Sequence, residues 1–513
     1  MIETALAQLR FAYSMLTGQP FSLWSLERII DALRDTRREF GEIGSEGAEM
    51  VQGPALDDET RRELQTRRFR QAARLARDTA YYGGLFARLA LDPQSPISNL
   101  QLPMTTKDTV RDNPDAFVRR GSRPYLRATT TGTTGQPTSI CFSLHEMRVY
   151  AALEAIDLLF KGSIQTDDIV QISTASRGLL GNVCLAGALA HVGALVMMAG
   201  IVDPAYALAQ LAEERRIPGK KPHVSVLYTY PSYLGELIET GLRLGYRPAD
   251  FGLEHIAVGG EIVTAGVMAR ARKLFGPVRF TQGYGMTEIW PLGGALCEEG
   301  HLHFEPSHGL VEIINPETGQ PAQPDEAGSI VATPFPPFRE TTIVLRYDTQ
   351  DMVRVLDSRP DRSFRDLSGL GLTCSRKRQP AVSPLLGKLK HAVRHDDGWT
   401  FSRDVLEAVE AVADVPLPAR CGWWAVEGGV AVEVVVRRNT AATRQAIGRS
   451  FESHGVPVRE LHLHERASQL RHPFPWRSDQ RETTLDSAAT NGANFHELIH
   501  PAIRAHSREA IRG

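Results

Sequence analysis

Between residues 140 and 288 the sequence alternates between stretches with the apolar spacing of a helix and short apolar runs typical of strands. This alternation restricts the fold more than any other feature, because helices that connect successive strands favour a parallel sheet covered on both faces. The predicted strands cover residues 169–173, 194–199, 224–228, 255–258 and 278–281. The sequence therefore predicts an α/β fold.

The flanking regions differ from this central part. Residues 1 to about 95 have helical spacing, and short β-rich runs at 310–314, 328–333 and 341–347 predict a small β subdomain within residues 300–356. From residue 387 the pattern is that of a separate α+β module. For a chain of 513 residues we predict a large N-terminal domain (1–386), a small mobile C-terminal domain (387–485) and a tail (486–513).

Three polar or glycine-rich segments directly follow predicted strands. They cover residues 228–231 (YTYP), 259–261 (GGE) and 282–288 (QGYGMTE). The carboxyl ends of parallel strands meet at one edge of a sheet, and ligands bind at that edge. We therefore expect these three segments to form a common site.

A segment rich in threonine and glycine precedes the predicted sheet. Residues 129–138 read TTTGTTGQPT, which suits neither helix nor strand, because threonine resists the helix and glycine weakens both structures. Such a loop can offer backbone N–H groups and hydroxyls to an anion. A surface linker has a similar composition, so the segment alone leaves both interpretations open.

The composition argues against several classes of partner. Lys+Arg 58 and Asp+Glu 60 nearly cancel, and a net charge of -2 favours neither nucleic acid nor an acidic membrane surface. No secretory signal is recognisable, and the apolar stretch 178–202 predicts a helix, Gly193 and a buried strand instead of a membrane span. Five scattered cysteines are typical of a reducing compartment, so we expect a cytoplasmic protein. The oligomeric state is left open.

Taken in order, these segments resemble the adenylate-forming enzymes, the superfamily of acyl-CoA synthetases and adenylation domains, and within it the phenylacetate-CoA ligases. The resemblance extends from about residue 65 to about residue 465. Residues 102–108 (LPMTTKD) resemble a phenylacetate-ligase signature, and residues 132–138 (GTTGQPT) resemble the loop of the superfamily, with Thr138 where relatives outside that branch often carry lysine. The order and spacing of the motifs make the resemblance more specific than any single motif.

The resemblance implies a role for individual residues. Around the phosphates, the loop residues Thr130, Thr131, Gly132, Thr133, Thr134 and Gly135 would wrap the β- and γ-phosphates of ATP, Thr287 would touch the α-phosphate and Glu288 would help to hold Mg²⁺. Around the nucleoside, Gly259, Gly260 and Glu261 would line the adenine side and the neighbouring carboxylate pocket, Tyr284 with Gly285 and Met286 would cover adenine, and Asp351 would take the ribose hydroxyls. Lys388, within GKLK at 387–390, would belong to the hinge of a mobile C-terminal domain, where relatives usually carry arginine.

These residue types suit the implied reaction, in which a carboxylate attacks the α-phosphorus of ATP and pyrophosphate leaves. The protein must align two anions and neutralise crowded oxygen charge. Mg²⁺ prefers carboxylate and phosphate oxygens, which makes a glutamate at a strand end an apt ligand. A solvated charge at Glu288 and an ordinary turn residue at Asp351 are the alternatives.

The end of the chain departs from the family pattern. Most relatives carry a lysine there that contacts the reacting carboxylate and the α-phosphate, whereas Gln480 occupies that position here and no lysine follows Lys390. Arg477 and Arg481 are the candidate substitutes, although a planar guanidinium is not equivalent to an ammonium point charge. This departure puts the adenylation half-reaction in question.

Aromatic side chains near the predicted pocket favour an aromatic acid. Tyr228, Tyr230 and Trp290 lie within or beside the strand-end segments, together with Gly283. Flat rings pack favourably on flat rings. Packing in the core is the alternative for the tyrosines.

Cys297, His301 and His303 offer a thiolate and two imidazoles within seven residues. A zinc site is one interpretation. The spacing matches no strong metal motif, and an accessory turn is the favoured interpretation.

We therefore predict ATP- and Mg²⁺-dependent activation of a carboxylic acid as an acyl-adenylate, with transfer to coenzyme A, a carrier-protein thiol or an amine. The alternative is a catalytically altered member that binds a nucleotide or an activated acyl group and acts as an acyltransferase, partner or regulator. The missing lysine favours the alternative, whereas the threonine- and glycine-rich loop, Glu288 and Asp351 oppose it.

Overall fold

The computed structural model describes residues 2–41, 58–92, 98–130, 137–174, 179–356, 381–396 and 398–480. Within these residues the chain forms a mixed α/β structure around one large sheet with helices on both faces. The fold class predicted from the alternating pattern is confirmed.

The helices of the described residues include α1 Ile2–Thr17, α2 Leu23–Phe40, α3 Asp58–Ala76, α4 Ala80–Arg88, α5 Lys107–Asp112, α6 Leu144–Lys161, α7 Leu179–Val192, α8 Pro204–Ala212, α9 Pro231–Leu244, α10 Ala265–Phe275, α11 Ser402–Glu410 and α12 Ala441–Ser453. No described helix combines the length and the apolar character that a membrane span requires.

The strands of the described residues are β1 Pro124–Thr129, β2 Ser139–Ser143, β3 Ile169–Ser173, β4 Leu195–Met198, β5 Val226–Thr229, β6 His255–Gly259, β7 Arg279–Tyr284, β8 Gly294–Leu296, β9 Leu302–Phe304, β10 Gly309–Ile314, β11 Ala327–Pro334, β12 Tyr347–Arg354, β13 Ala381–Val382, β14 Gly387–Lys388, β15 Val393–His395, β16 Gly398–Thr400, β17 Cys421–Val426, β18 Gly429–Val435 and β19 Val458–His464.

The large sheet has the strand order β13-β9-β8-β7-β6-β5-β3-β4. The five strands from β3 to β7 are parallel, and β8, β9 and β13 extend the sheet in antiparallel fashion. The predicted parallel strands are therefore present, with small shifts at their ends. Because β9 lies in this sheet, part of the region 300–356 does not belong to the small β subdomain.

Side chains of the parallel strands alternate between two cores, as the two-residue period of a strand requires. Ile169 of β3 packs with α8, α9 and α10 on one face. Its neighbours Val170 and Ile172 pack with α6 and α7 on the other face. The sheet is thus the middle of three layers, and this burial explains why its strands read as continuous apolar runs.

The threonine- and glycine-rich loop is held at its base by a β-hairpin. Strands β1 and β2 pair in antiparallel fashion up to Thr129 and Ser139. Beyond that pair, the Thr130 N–H donates to the Thr138 carbonyl at 2.9 Å and the Thr138 N–H donates to Thr130 Oγ1 at 3.0 Å. Residues 131–136, which include Thr131 to Gly135, lie outside the described residues.

A four-stranded antiparallel sheet of order β10-β11-β12-β14 forms the small β subdomain. The predicted strand at 341–347 is wrong, because the strand begins only at Tyr347. The backbone before it bonds to the N-terminal half of the chain instead: the N–H groups of Ile343 and Leu345 donate to the Phe117 carbonyl at 3.0 Å and to Tyr82 Oη at 2.7 Å.

Residues 398–480, here called the C-terminal segment, have a core of their own. Strands β17, β18 and β19 form one sheet, and apolar side chains of α11 and α12 pack on it. Ile262, which follows β6, also joins this core. Gly387 and Lys388, predicted to belong to a hinge, pair with Met352 and Asp351 of β12 and form the edge strand of the four-stranded sheet.

Candidate active site

The three segments predicted to form a common site do meet at the carboxyl edge of the parallel sheet. Tyr230 follows β5, Gly259 ends β6 and Tyr284 ends β7, and these three strands are adjacent. The four-stranded sheet adds Asp351, because the Tyr284 hydroxyl donates to Asp351 Oδ2 at 3.0 Å. The edge therefore collects residues from five segments of the chain once the C-terminal segment is included.

Glu288 is a buried carboxylate in which one oxygen contacts other side chains and the other oxygen has no hydrogen-bond partner among the described residues. Its side chain is only 1% exposed, Tyr347 donates to Oε1 at 3.1 Å, and Lys107 Nζ lies 3.3 Å from the same oxygen. Oε2 is buried and has no hydrogen-bond partner among the described residues. A buried carboxylate oxygen without a partner is costly, so this oxygen suits a divalent cation. The chemistry of the donor set therefore fits Mg²⁺.

Glu288 also acts on its neighbours electrostatically. Burial raises the pKa of Tyr347 well above its usual value, and the adjacent Glu288 carboxylate raises it further. The phenol therefore stays protonated and donates to the carboxylate. Tyr347 and Lys107 were not predicted as site residues, although both lie in segments that carry the family resemblance, the signature at 102–108 and the stretch before Asp351.

Asp351 is a second buried carboxylate, and it joins the hinge to the sheet edge. Lys388 Nζ lies 2.9 Å from Asp351 Oδ1 and donates to the Thr349 carbonyl at 3.0 Å. Burial and the Asp351 carboxylate raise the pKa of Tyr284 well above its usual value. A carboxylate oxygen accepts two hydrogen bonds, so each oxygen of Asp351 retains one lone pair for a ligand hydroxyl. Gln350, next to it, has a left-handed φ of 57°.

Glu261 receives two backbone N–H groups from different parts of the chain. Ser232 N–H, at the start of α9, donates to Oε2 at 2.9 Å, and Arg477 N–H donates to Oε1 at 2.6 Å. Burial raises the pKa of Glu261, and the Arg477 charge and these hydrogen bonds oppose that shift. Glu261 thus fastens the end of the C-terminal segment to the sheet edge.

Arg477 itself points its guanidinium at the strand-end residues. Its Cζ lies 5.0 Å from the centre of the Tyr230 ring, which is cation–π distance. Gly260 has a φ of 79°, and a Cβ there would lie 3.1 Å from Arg477 Cζ. Only a glycine leaves room for the guanidinium in this conformation. Arg477 is therefore brought to the predicted site, whereas Arg481 lies outside the described residues, as does the Gln480 side chain.

Four cations lie close enough together to affect one another near the two buried carboxylates. The pKa of Lys390 is lowered by partial burial and by the positive charges of Lys388, Lys107 and Arg111. Two of these cations already face Glu288 and Asp351. The excess positive charge suits a polyanionic ligand such as a nucleotide phosphate chain.

The residues predicted to contact the acid occupy separate surroundings. Tyr228 packs against the core beneath α6 and α7, and its pKa is raised by burial and by Glu154 and Asp157. Trp290 packs on Gly285, where a Cβ would lie 3.3 Å from the indole ring, and its buried Nε1 has no hydrogen-bond partner among the described residues. Gly283 pairs with Gly259 and Ala295 in the sheet. Met286 Sδ lies 3.7 Å from the Tyr284 hydroxyl oxygen, and Thr287 lies half-buried between Met286 and Glu288.

The C-terminal segment docks closely on α9 and α10. A Cβ at Gly266 of α10 would lie 2.6 Å from the carbonyl carbon of Glu410, and a Cβ at Gly235 of α9 would lie 2.8 Å from Pro418 N. Glu410 is fully buried, accepts from Thr264 Oγ1 at 2.7 Å and accepts from Ala419 N–H at 3.0 Å. These contacts fix the position from which Arg477 reaches the sheet edge.

Comparison with known proteins supports the resemblance. Residues 87–333 match the AMP-binding enzyme family. The phenylacetate-coenzyme A ligase of Thermus thermophilus is 26% identical over 318 residues, which is 59% of this chain and 68% of that protein. The phenylacetate-coenzyme A ligase of Escherichia coli is 27% identical over 264 residues, 50% of this chain and 57% of that protein. The resemblance to adenylate-forming enzymes, and among them to phenylacetate-CoA ligases, is confirmed.

A solved structure of similar fold is 2-hydroxyisobutyryl-CoA ligase in the postadenylation state, in complex with 2-HIB-AMP. The superposition has a TM-score of 0.65 and covers 85% of this chain and 93% of that chain, at 16% sequence identity. At 16% sequence identity, this similarity shows a shared fold. It agrees with the α/β architecture described above.

Replacing Gly266 tests the docking of the C-terminal segment. We expect Gly266→Ala to lower the free energy of unfolding by about 1–3 kcal/mol, because overpacking at a rigid backbone contact costs about that much. Chemical denaturation measures the change. Gly448→Ala, in α12 with open space around it, is the matched control and should stabilise by about 0.5–1 kcal/mol. Equal changes in the free energy of unfolding of the two variants would contradict the tight contact at Gly266.

Glu410 makes the docking sensitive to pH. Burial raises the pKa of the Glu410 carboxyl from 4.5 to about 7. The protonated side chain therefore stabilises the folded protein fully below about pH 4.5, and this stabilisation is lost as the pH rises through 7. We expect the free energy of unfolding of Glu410→Gln, relative to that of the wild-type protein, to rise by about 2 kcal/mol between pH 5.5 and pH 8.5, because one pKa unit corresponds to about 1.4 kcal/mol. Denaturation curves at both pH values measure this. Glu452→Gln, exposed on α12, should show no such trend, and parallel pH dependences for Glu410→Gln and wild type would refute the prediction.

Proposed function

From the premise that residues 87–333 form an AMP-binding enzyme domain, we propose that this chain activates a carboxylic acid with ATP and transfers the acyl group to coenzyme A. The observation that carries the proposal is the position of Arg477, which the C-terminal segment places against Tyr230 and Gly260 at the carboxyl edge of the sheet. A cation is thus supplied at the edge where the reacting carboxylate and the α-phosphate would meet.

Glu288 would hold Mg²⁺ through its free oxygen Oε2. The ion, when bound, would neutralise phosphate oxygens and so ease the departure of pyrophosphate. Tyr347 and Lys107 hold the other oxygen of Glu288, which orients the carboxylate before any ligand arrives. This preorganisation means that little reorientation of the carboxylate is needed during the reaction.

The remaining nucleotide contacts follow from the residues around the sheet edge. Asp351 retains lone pairs for the ribose hydroxyls, and Tyr284 lies beside it with its hydroxyl hydrogen-bonded to the carboxylate. The backbone of 259–261 lines the edge next to Tyr230. The loop residues Thr130 to Gly135 would contact the phosphates, with the hairpin of β1 and β2 as their rigid base. Coenzyme A carries phosphates too, and the cations around Lys390 suit them as well.

The two half-reactions would use different positions of a C-terminal domain. Lys388 holds Asp351 in the present arrangement, and the residues after it lead from the four-stranded sheet into the C-terminal segment. Rotation about 388–390 would withdraw Arg477 from the sheet edge and let the acceptor thiol approach. The hydrogen bonds of Glu261 and the burial of Glu410 would then stabilise the arrangement that suits adenylation.

We infer that the acid is aromatic. Tyr228, Tyr230 and Trp290 supply three aromatic rings at or near the edge, and the unpartnered indole Nε1 of Trp290 is a donor for a polar ring substituent. Two of the similar curated proteins are phenylacetate-coenzyme A ligases. Glu154 and Asp157, close enough to Tyr228 to raise its pKa, favour an acid without a further negative charge.

Pyrophosphate exchange with a panel of aromatic acids tests the proposal. We expect acid-dependent exchange in the wild-type protein and a loss of about 100-fold or more in Arg477→Ala, the size typical of one preorganised charge or donor at developing oxyanions. Arg477→Lys should recover part of the rate, since it keeps the charge but not the planar contact with Tyr230. Arg471→Ala, an exposed arginine of the same segment, is the control. Absence of exchange with every acid, in a folded protein that binds ATP, would reject adenylation and favour the binding-only alternative.

Tyr347→Phe tests the role of Glu288 without removing the carboxylate. The variant deletes one hydrogen bond to Glu288 and should raise the Mg²⁺ concentration for half-maximal exchange by about 10–100-fold, as loss of an outer partner of a metal ligand does. Titration of exchange activity with Mg²⁺ measures the shift, and Tyr13→Phe, an exposed tyrosine, is the control. An unchanged Mg²⁺ dependence in Tyr347→Phe would argue that Glu288 does not hold the ion.

A further inference from the structure

The hairpin formed by β8 and β9 carries three side chains that can bind a metal. Cys297 follows β8, His301 precedes β9 and His303 lies within β9. One ligand atom of each, the sulfur and two imidazole nitrogens, lies within 4.8 Å of the other two. The antiparallel pairing of β8 with β9 produces this convergence, which the sequence spacing did not indicate.

His301 Nδ1 is shielded from solvent and has no hydrogen-bond partner among the described residues. Glu299 Oε2, 3.8 Å away, is beyond hydrogen-bond distance. A buried ring nitrogen left without a partner destabilises the fold, and a metal ion would satisfy it.

Cys297 is positioned by the hairpin backbone. The backbone N–H of His301 donates to its Sγ at 3.3 Å. His303 is 1% exposed, so its ring is held in place by the surrounding sheet. The three side chains are therefore arranged by backbone pairing and burial, and not by a mobile loop.

We propose that Cys297, His301 and His303 bind one zinc ion. A thiolate with two imidazoles selects zinc over Mg²⁺, which prefers oxygen ligands. Zinc lies about 2.3 Å from sulfur and about 2.0–2.1 Å from nitrogen, so tetrahedral ligand atoms are about 3.5 Å apart. The present ligand atoms lie within 4.8 Å of one another, so zinc binding would draw them together by up to about 1.3 Å.

The ion would stabilise the part of the sheet next to the candidate active site. His303 lies opposite Ala295 of β8 and Ala381 of β13, and Ala295 lies opposite Gly283 of β7. Strand β7 leads directly to Thr287 and Glu288. Zinc would thus clamp the antiparallel extension of the sheet without contacting the reacting groups, and its binding does not depend on the proposed function.

Metal analysis of the full-length protein, purified without chelator, tests the proposal. We expect close to one equivalent of zinc, and a higher melting temperature for the zinc form than for the protein stripped of metal. Co²⁺ added to the stripped protein should give the strong visible bands of a tetrahedral site and a thiolate charge-transfer band. Cys297→Ser should lose that band and bind zinc at least about tenfold more weakly, whereas Cys141→Ser, outside the cluster, should match the wild type.

Two results would overturn the zinc site. One is wild-type protein that retains no zinc and gives no tetrahedral Co²⁺ spectrum. The other is Cys297→Ser protein with the zinc affinity and Co²⁺ spectrum of the wild type. If Cys297→Ser does not fold, His301→Gln provides the second variant, with His462→Gln, exposed on β19, as its control. The Tyr347→Phe protein should keep full zinc content even though its Mg²⁺ dependence changes.

Discussion

The carboxylate of Glu261 is the contact on which the arrangement of the site depends. It accepts the N–H of Ser232 at the start of α9, a helix whose N-cap residue Tyr230 offers no side-chain cap. It also accepts the N–H of Arg477, 216 residues further along the chain. A negative charge is favourable at a helix N-terminus, so one side chain stabilises α9 and fixes the C-terminal segment over the strand ends. The resemblance did not indicate this docking contact of Glu261.

Residues with a strong local pattern were predictable, and residues placed by distant contacts were not. The short buried run of β3 and the helical spacing of α10 are visible in a short window of sequence, so the parallel sheet and its site edge followed from such patterns. The stretch 341–347 has the composition of a strand, but Tyr82 and Phe117 take its backbone hydrogen bonds. Nothing local to Lys107 indicates that it faces Glu288, because that contact exists only when α5 packs near the end of β7.

Each of the two buried carboxylates at the sheet edge is paired with a lysine from another segment of the chain. Glu288 is paired with Lys107, which lies ahead of the loop, and Asp351 is paired with Lys388, which lies at the hinge. A nearby cation offsets the cost of burying a carboxylate, so each pair ties a separate segment to the sheet edge. Under the proposed function, a nucleotide with its cation would change the charge around both pairs at once. Its binding would then affect the segment ahead of the loop through Lys107 and the strand β14 through Lys388.

The surroundings of Arg477 suit an arginine better than a lysine at this position. A guanidinium is planar and stacks on an aromatic face, whereas an ammonium is a compact point charge. Here the guanidinium lies over Tyr230, and Gly260 provides the space that a side chain would fill. The backbone N–H of Arg477 donates to Glu261, so both the backbone and the guanidinium of Arg477 have fixed partners. The Tyr230 ring, Gly260 and the Glu261 carboxylate therefore favour arginine over lysine at position 477.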